Sequence, residues 1–92
     1  MDSIALFRFS LFVSGEGLLA KKAIFNCKKY LDLFLQSNYD MEIIDVLQYP
    51  KLAIDENIIV LPVLIRRNPF PELSIVGDMS NLELFKSDLL MN

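Results

Sequence analysis

The chain has no histidine and no tryptophan, a single cysteine and only three glycines among its 92 residues. Without histidine it lacks the commonest metal ligand and the commonest general base near neutral pH, so metal chemistry and serine–histidine catalysis are set aside and neither a metal nor a cofactor is expected. Cys27 stands alone and cannot close an internal disulfide. No apolar run approaches the roughly 20 residues that cross a bilayer, and the opening MDSIALFRFS has no basic segment followed by a cleavable apolar one. A cytoplasmic protein without membrane contact is the expectation. A net charge of -3 argues against nucleic acid as a main partner. Because 53% of the residues are hydrophobic against 23% charged, the chain reads as ordered and globular, long enough for one modest core, hence one domain over residues 1–92.

What is present centres on Ile4–Ser14, IALFRFSLFVS, an apolar run rich in aromatic and β-branched residues. It reads as a buried strand. The period of two puts Ala5, Phe7, Phe9, Leu11 and Val13 on one face and Ile4, Leu6, Arg8, Ser10 and Phe12 on the other, so both faces call for cover. Ser14–Gly17 forms the turn that ends it. Within Leu18–Gln36, Ala20, Ala23, Ile24, Cys27, Leu31, Phe34 and Leu35 recur at helical spacing while the lysines lie largely elsewhere. Ser37–Asp40 breaks that helix, and Met41–Leu47 predicts a second strand. Strand, helix and strand make a right-handed crossover with parallel strands.

In the second half Pro50 suits the first turn of a short helix over Pro50–Asn57, which has few apolar positions and must be held by packing. Ile58–Ile65 is apolar apart from Pro62, which predicts a strand starting at or after that proline. Arg66–Pro71 reads as a turn, Leu73–Val76 as a strand antiparallel to the preceding one, and Gly77-Asp78 as its end. Ser80 with Glu83 predicts a capping box, and Leu82, Phe85 and Leu89 give the closing helix an apolar face. The order is α/β, βαβαββα with a proline ahead of the third strand, which is the order of a thioredoxin-like domain. In that fold the proline would be cis. Redox thioredoxins place a reactive cysteine at the start of the first helix. Here that place is Ser14-Gly15-Glu16-Gly17, and Cys27, three turns further on the apolar face, reads as a small core hydrophobe.

Four segments then resemble the circadian clock protein family KaiB: LFVSG at Leu11–Gly15, EIIDVLQYPKLA at Glu42–Ala53, VLPVLI at Val60–Ile65 and IVGDMSN at Ile75–Asn81, in the family's order along nearly the whole chain. The resemblance implies a non-enzymatic regulatory protein that binds a hexameric KaiC-type ATPase, captures a KaiA-type regulator and competes with a SasA-type kinase. It also implies a second half able to rearrange between a KaiB-specific tetrameric fold and a thioredoxin-like monomer, which leaves a homo-oligomer, tetramer or dimer, open. The chain departs from the family at VLPVL, where an ATPTL-like segment is usual, at the proline run interrupted by Phe70, at Glu72-Leu73-Ser74 in place of a basic pair, and at Asn57 in place of a lysine. An alternative reading is a thioredoxin-like sensory or scaffold domain of a SasA-type histidine kinase, locked in one fold.

By resemblance, the partner-binding candidates are Lys51, Asp55, Glu56 and Asn57 in the short-helix region and Lys22 on the first helix near the same edge. Pro62, Gly77 and Asp78 are structural candidates. Each exposed charge could equally be ordinary solvated surface, since single rim charges contribute little to binding. Lys21 and Lys22 oppose the helix dipole where they stand. Asp45, at a strand end, has no second carboxylate, phosphate cradle or base placed beside it by motif and carries no catalytic assignment. A third reading, a glutathione-dependent enzyme, would have to use Cys27.

Overall fold

The computed structural model describes residues 6–91. Strand β1 (Phe7–Val13) leads into α1 (Leu18–Leu35), β2 (Tyr39–Asp45), α2 (Pro50–Asp55), β3 (Val63–Asn68) and β4 (Leu73–Val76); a 3-10 turn at Leu82–Phe85 then runs into α3 (Lys86–Met91). The sheet order is β2-β1-β3-β4. Strand β1 pairs parallel to β2, with Phe9 opposite Met41 and Phe12 opposite Ile44, and antiparallel to β3, which pairs antiparallel to β4. This is the expected βαβαββα order, and β1 sits inside the sheet as its composition requires.

Alternation along β1 divides the core between the two sheet faces. Phe7, Phe9, Leu11 and Val13 turn toward α1 and the C-terminal helical segment, meeting Ala20, Ala23, Cys27, Leu31, Met79, Leu82 and Leu89. Phe12 turns the other way and packs with Ile44, Val63 and Ile65 under the half-buried Val46, Ile58 and Leu61. Phe12 and Leu11 are both fully buried; burial of such side chains stabilises by about 1.5–3 kcal/mol each. The first face is roofed by 18 residues of α1, the second by little more than the loops around α2, none of whose residues is buried.

Local expectations are met unevenly. Ile4 and Ala5 of the predicted first strand lie outside the described residues, and Leu6 and Arg8 are exposed, so one face is covered from Phe7 and the other only from Ser10. Helix α1 ends at Leu35, and Gln36, with φ 58, turns the chain. Strand β2 starts at Tyr39, two residues before the prediction, because Tyr39 and Asp40 pair with Phe7 and Arg8 despite their turn-forming neighbours. Helix α2 stops at Asp55, two residues short, where Asn57 enters the left-handed region at φ 56 and the Ile58 N–H returns to the Ala53 carbonyl. Strand β3 runs on through Arg66, Arg67 and Asn68, so the predicted turn over Arg66–Pro71 shrinks to its last residues. No capping box forms: Asn81 is the N-cap without a side-chain bond, and the Ser80 N–H instead donates to Asp78 Oδ1 at 3.0 Å.

Candidate functional site

The α2 side of the sheet carries most of the candidate residues. Pro50 opens α2 at its first turn, where its missing N–H is no loss. Lys51 Nζ bonds Asp55 at 2.9 Å across one helical turn, both side chains well exposed. Around this pair, Leu47, Tyr49, Leu52, Ile54, Ile59 and Val60 are 42–89% exposed. A six-residue helix that buries nothing yet is ringed by apolar side chains has the make-up of a contact surface.

Glu56 is placed differently from its neighbours. Arg67, on the α2 face of β3, donates to Glu56 through both terminal nitrogens, Nη1 to Oε1 at 2.6 Å, while Nη1 also reaches Glu72 at 3.1 Å and Nε donates to Ser10 Oγ at 3.0 Å. Its guanidinium lies 5.9 Å from the centre of the Phe12 ring. One side chain thus ties β1, the end of α2, β3 and the turn before β4. Ser10 in turn donates to Glu42 at 3.1 Å. Next to this network an open groove of about 540 Å³ is lined by Arg8, Ser10, Asp40, Glu42, Arg67 and Asn68.

Lys51, Asp55, Glu56 and Asn57 therefore share one surface, and Lys22 does not join them. It stands on α1, which roofs the opposite sheet face. The Asp78 carboxyl near it is held below its ordinary range, chiefly by the hydroxyl and backbone N–H of Ser80, with the Lys22 charge adding to them. The three structural candidates do converge. Leu61–Pro62 is a cis peptide and Pro62 is buried at the entrance to β3. The Pro62 carbonyl accepts from the Gly77 N–H at 2.9 Å, Gly77 adopts φ 121 directly after β4, and the Asp78 carbonyl accepts from Asn26 Nδ2 at 2.9 Å. At the far end of β2, Asp45 Oδ1 accepts from the N–H groups of Gly15 at 2.8 Å and Leu47 at 3.0 Å. It fastens the turn after β1 to the end of β2.

Sequence reasoning passed over Arg66 and Arg67. β3 extends to Asn68 with an irregular register against β1 at Arg8 and Phe9, and the contacts of the two arginines place them on opposite faces. Arg66 is fully buried on the α1 face, where Nη1 donates to the Asp88 and Leu89 carbonyls at 3.1 and 2.8 Å and Nη2 to the Pro71 carbonyl at 2.7 Å. The two side chains pin the C-terminal half from both sides of the sheet. Cys27 is fully buried on the inward face of α1, and burial pushes its thiol up to about 12, so it holds its proton at neutral pH and is out of reach of a substrate.

The KaiB domain profile matches residues 10–89. The chain is 41% identical over 73 residues to the circadian clock protein KaiB3 of Synechocystis sp., covering 79% of this chain and 72% of that protein. It is 35% identical over 82 residues to the circadian clock oscillator protein KaiB of Synechococcus elongatus, covering 87% and 80%. Among solved structures, the N-terminal domain of Synechococcus elongatus SasA superposes with a TM-score of 0.77 at 18% identity, covering 98% of this chain and 88% of that one. Mitochondrial thioredoxin 3 of Saccharomyces cerevisiae superposes with a TM-score of 0.71 at 16% identity, covering 91% and 79%. The fold is thioredoxin-like.

Proposed function

Because the chain belongs to the KaiB family of circadian clock proteins, we propose that it is a non-enzymatic regulatory subunit whose α2 surface docks on a hexameric KaiC-type ATPase and which, once bound, captures a KaiA-type regulator in circadian or related signalling. One observation carries this reading: α2 buries none of its residues and sets the Lys51–Asp55 pair among exposed Leu52, Ile54, Ile59 and Val60. Exposed apolar anchors inside a polar rim are the anatomy of a protein contact, and the core needs none of them. Cytoplasmic residence and exchange with a tetrameric form belong to the same proposal. Size-exclusion chromatography with light scattering, with and without the ATPase, tests it. Comigration with the hexamer that is lost on Lys51→Glu and on Ile59→Asp supports the reading, and comigration unchanged in both variants counts against this surface.

A second reading is favoured by Arg66 and Arg67, which fasten the C-terminal half to the sheet from both sides. A domain held this way would remain a thioredoxin-like monomer and serve as the sensory or scaffold module of a SasA-type kinase. A monomer at all concentrations that ignores the ATPase is the result this reading expects.

A further inference from the structure

The outward face of α1 carries a pattern that neither the core nor the α2 surface uses. Leu18, Lys22, Phe25, Lys29 and Leu33 succeed one another at steps of four, three, four and four residues, which sets them in a single file along the helix, about 22 Å long at 1.5 Å per residue. Apolar and cationic side chains alternate turn by turn. The apolar members are 71%, 67% and 67% exposed, although the inward face already gives Ala20, Ala23, Cys27 and Leu31 to the core.

The charges along this file are only loosely engaged, Lys22 adding to the pull that holds the Asp78 carboxyl down. Among the described residues no carboxylate lies within salt-bridge distance of Lys22 or Lys29, nor of Lys21 and Lys28 beside them. Lys29 Nζ rests 5.1 Å from the centre of the Tyr30 ring. Asp32, the one acidic residue of α1, accepts a hydrogen bond from the Tyr39 hydroxyl at 2.6 Å. Four lysines and one aspartate give α1 a net +3 in a chain of net -3, leaving -6 for the rest. Lys21 and Lys22 are the fourth and fifth residues of α1, near its N-terminus and against the helix dipole, an arrangement that a partner's carboxylates would relieve.

We propose that this file is a docking surface for an acidic amphipathic helix of a protein partner. Its apolar side chains meet Leu18, Phe25 and Leu33, and carboxylates between them meet Lys22 and Lys29. Charge complementarity selects an acidic partner. The spacing selects a helix, because a helix laid along α1 presents its own residues at the same three- and four-residue steps, whereas an extended segment repeats every two residues and falls out of register. An anionic membrane would also attract lysines, but interfacial insertion calls for a broad apolar face, and here three apolar side chains stand singly between cations. The surface is on the opposite side of the sheet from α2, so both can be occupied together.

The probe is a synthetic 18-residue helical peptide, fluorescently labelled, with leucine at its first, eighth and sixteenth positions and glutamate at its fifth and twelfth. Fluorescence anisotropy should show saturable binding, weakened about tenfold or more by Phe25→Ser and by the double change Lys22→Glu with Lys29→Glu. Binding should also weaken when salt is raised to about 0.5 M. A peptide with lysine in place of the two glutamates should bind the doubly reversed variant and not the parent protein. All substituted positions are exposed, and thermal melts confirm that each variant is folded. Failure of the parent to bind the acidic peptide, equal binding by parent and variants, or sedimentation with phosphatidylglycerol vesicles that these substitutions abolish without peptide binding would overturn the proposal. None of these outcomes depends on whether the α2 surface binds an ATPase.

Discussion

Arg67 holds Glu56 across the gap between β3 and the end of α2, with two guanidinium nitrogens on two carboxylate oxygens, the Nη1 to Oε1 contact at 2.6 Å. Both side chains are partly shielded from water, at 24% and 34% exposure, so the pair is screened less than an ordinary surface bridge. Since α2 buries no residue of its own, this contact does much to set where the helix rests. Arg67→Met should destabilise the fold by about 1–2 kcal/mol and raise amide hydrogen exchange in residues 50–58 more than in β1. Equal protection in α2 before and after the substitution would refute the assignment.

Arg66 should matter more to stability. Its guanidinium is fully buried and satisfies three carbonyls, two of them in α3 and one in the turn before β4. Replacing it with alanine leaves those carbonyls without their donor and opens a void, a loss of about 3 kcal/mol or more. Urea denaturation measures it. A variant within about 0.5 kcal/mol of the parent would show that α3 is held by other means.

Cys27 makes stability depend on pH at the alkaline end. Its thiol is raised from an ordinary 9.0 to about 12 by burial, so above pH 9 the unfolded chain gives up the proton while the folded chain keeps it. This contribution is intact below pH 9 and drains away as pH climbs toward 12. Cys27→Ala should therefore narrow the difference in urea midpoint between pH 8 and pH 11. A maleimide reagent at pH 8 should label the native protein slowly and the unfolded protein fast, and rapid native labelling would contradict the burial.

Asp45 should behave as a fastener. Removing its carboxylate by Asp45→Ala takes the acceptor from the Gly15 and Leu47 N–H groups, at an expected cost of about 1–2 kcal/mol. Asp45→Asn keeps one oxygen and should cost less than half of that. Equal losses in the two variants, measured by thermal unfolding, would point to charge rather than hydrogen bonding.

Lys51 should show the reverse profile. Its bridge to Asp55 is well exposed, so Lys51→Ala should change stability by no more than about 0.5 kcal/mol. If the α2 surface docks as proposed, the same substitution should measurably weaken binding to the ATPase.

How much of this was legible in the chain depended on whether periodicity or pairing decided the outcome. The helical spacing of Ala20, Ala23, Cys27 and Leu31 and the alternation of Phe7, Phe9, Leu11 and Val13 both survive in the fold, because burial of one face enforces each period. Tyr39 and Asp40 misled because β2 is an edge strand, where polar residues can join a ladder without being buried. Arg66 and Arg67 misled because charge beside prolines reads as turn; only the ladder to β1 and β4 shows that they extend a strand and point to opposite faces. Lys51, Asp55, Glu56 and Asn57 lie close together because they are sequence neighbours, although the helix ends at Asp55 and leaves Glu56 and Asn57 beyond it. Lys22 was separated from them by the crossover, which no local pattern reveals. Ser80 and Glu83 had capping-box spacing, but the Asp78 carboxylate, two residues earlier, took the Ser80 N–H first.

A helix with no buried side chain answers to few of the demands that shape the rest of the molecule. Substitutions along Pro50–Asp55 leave both hydrophobic clusters untouched, so this segment can be rewritten to suit a different partner while the scaffold beneath it keeps its melting temperature. The protein is thereby divided into a frame that tolerates little change and an exchangeable tip. Specificity engineered at the tip should be transferable, as a cassette of a few residues, onto other frames of the same fold.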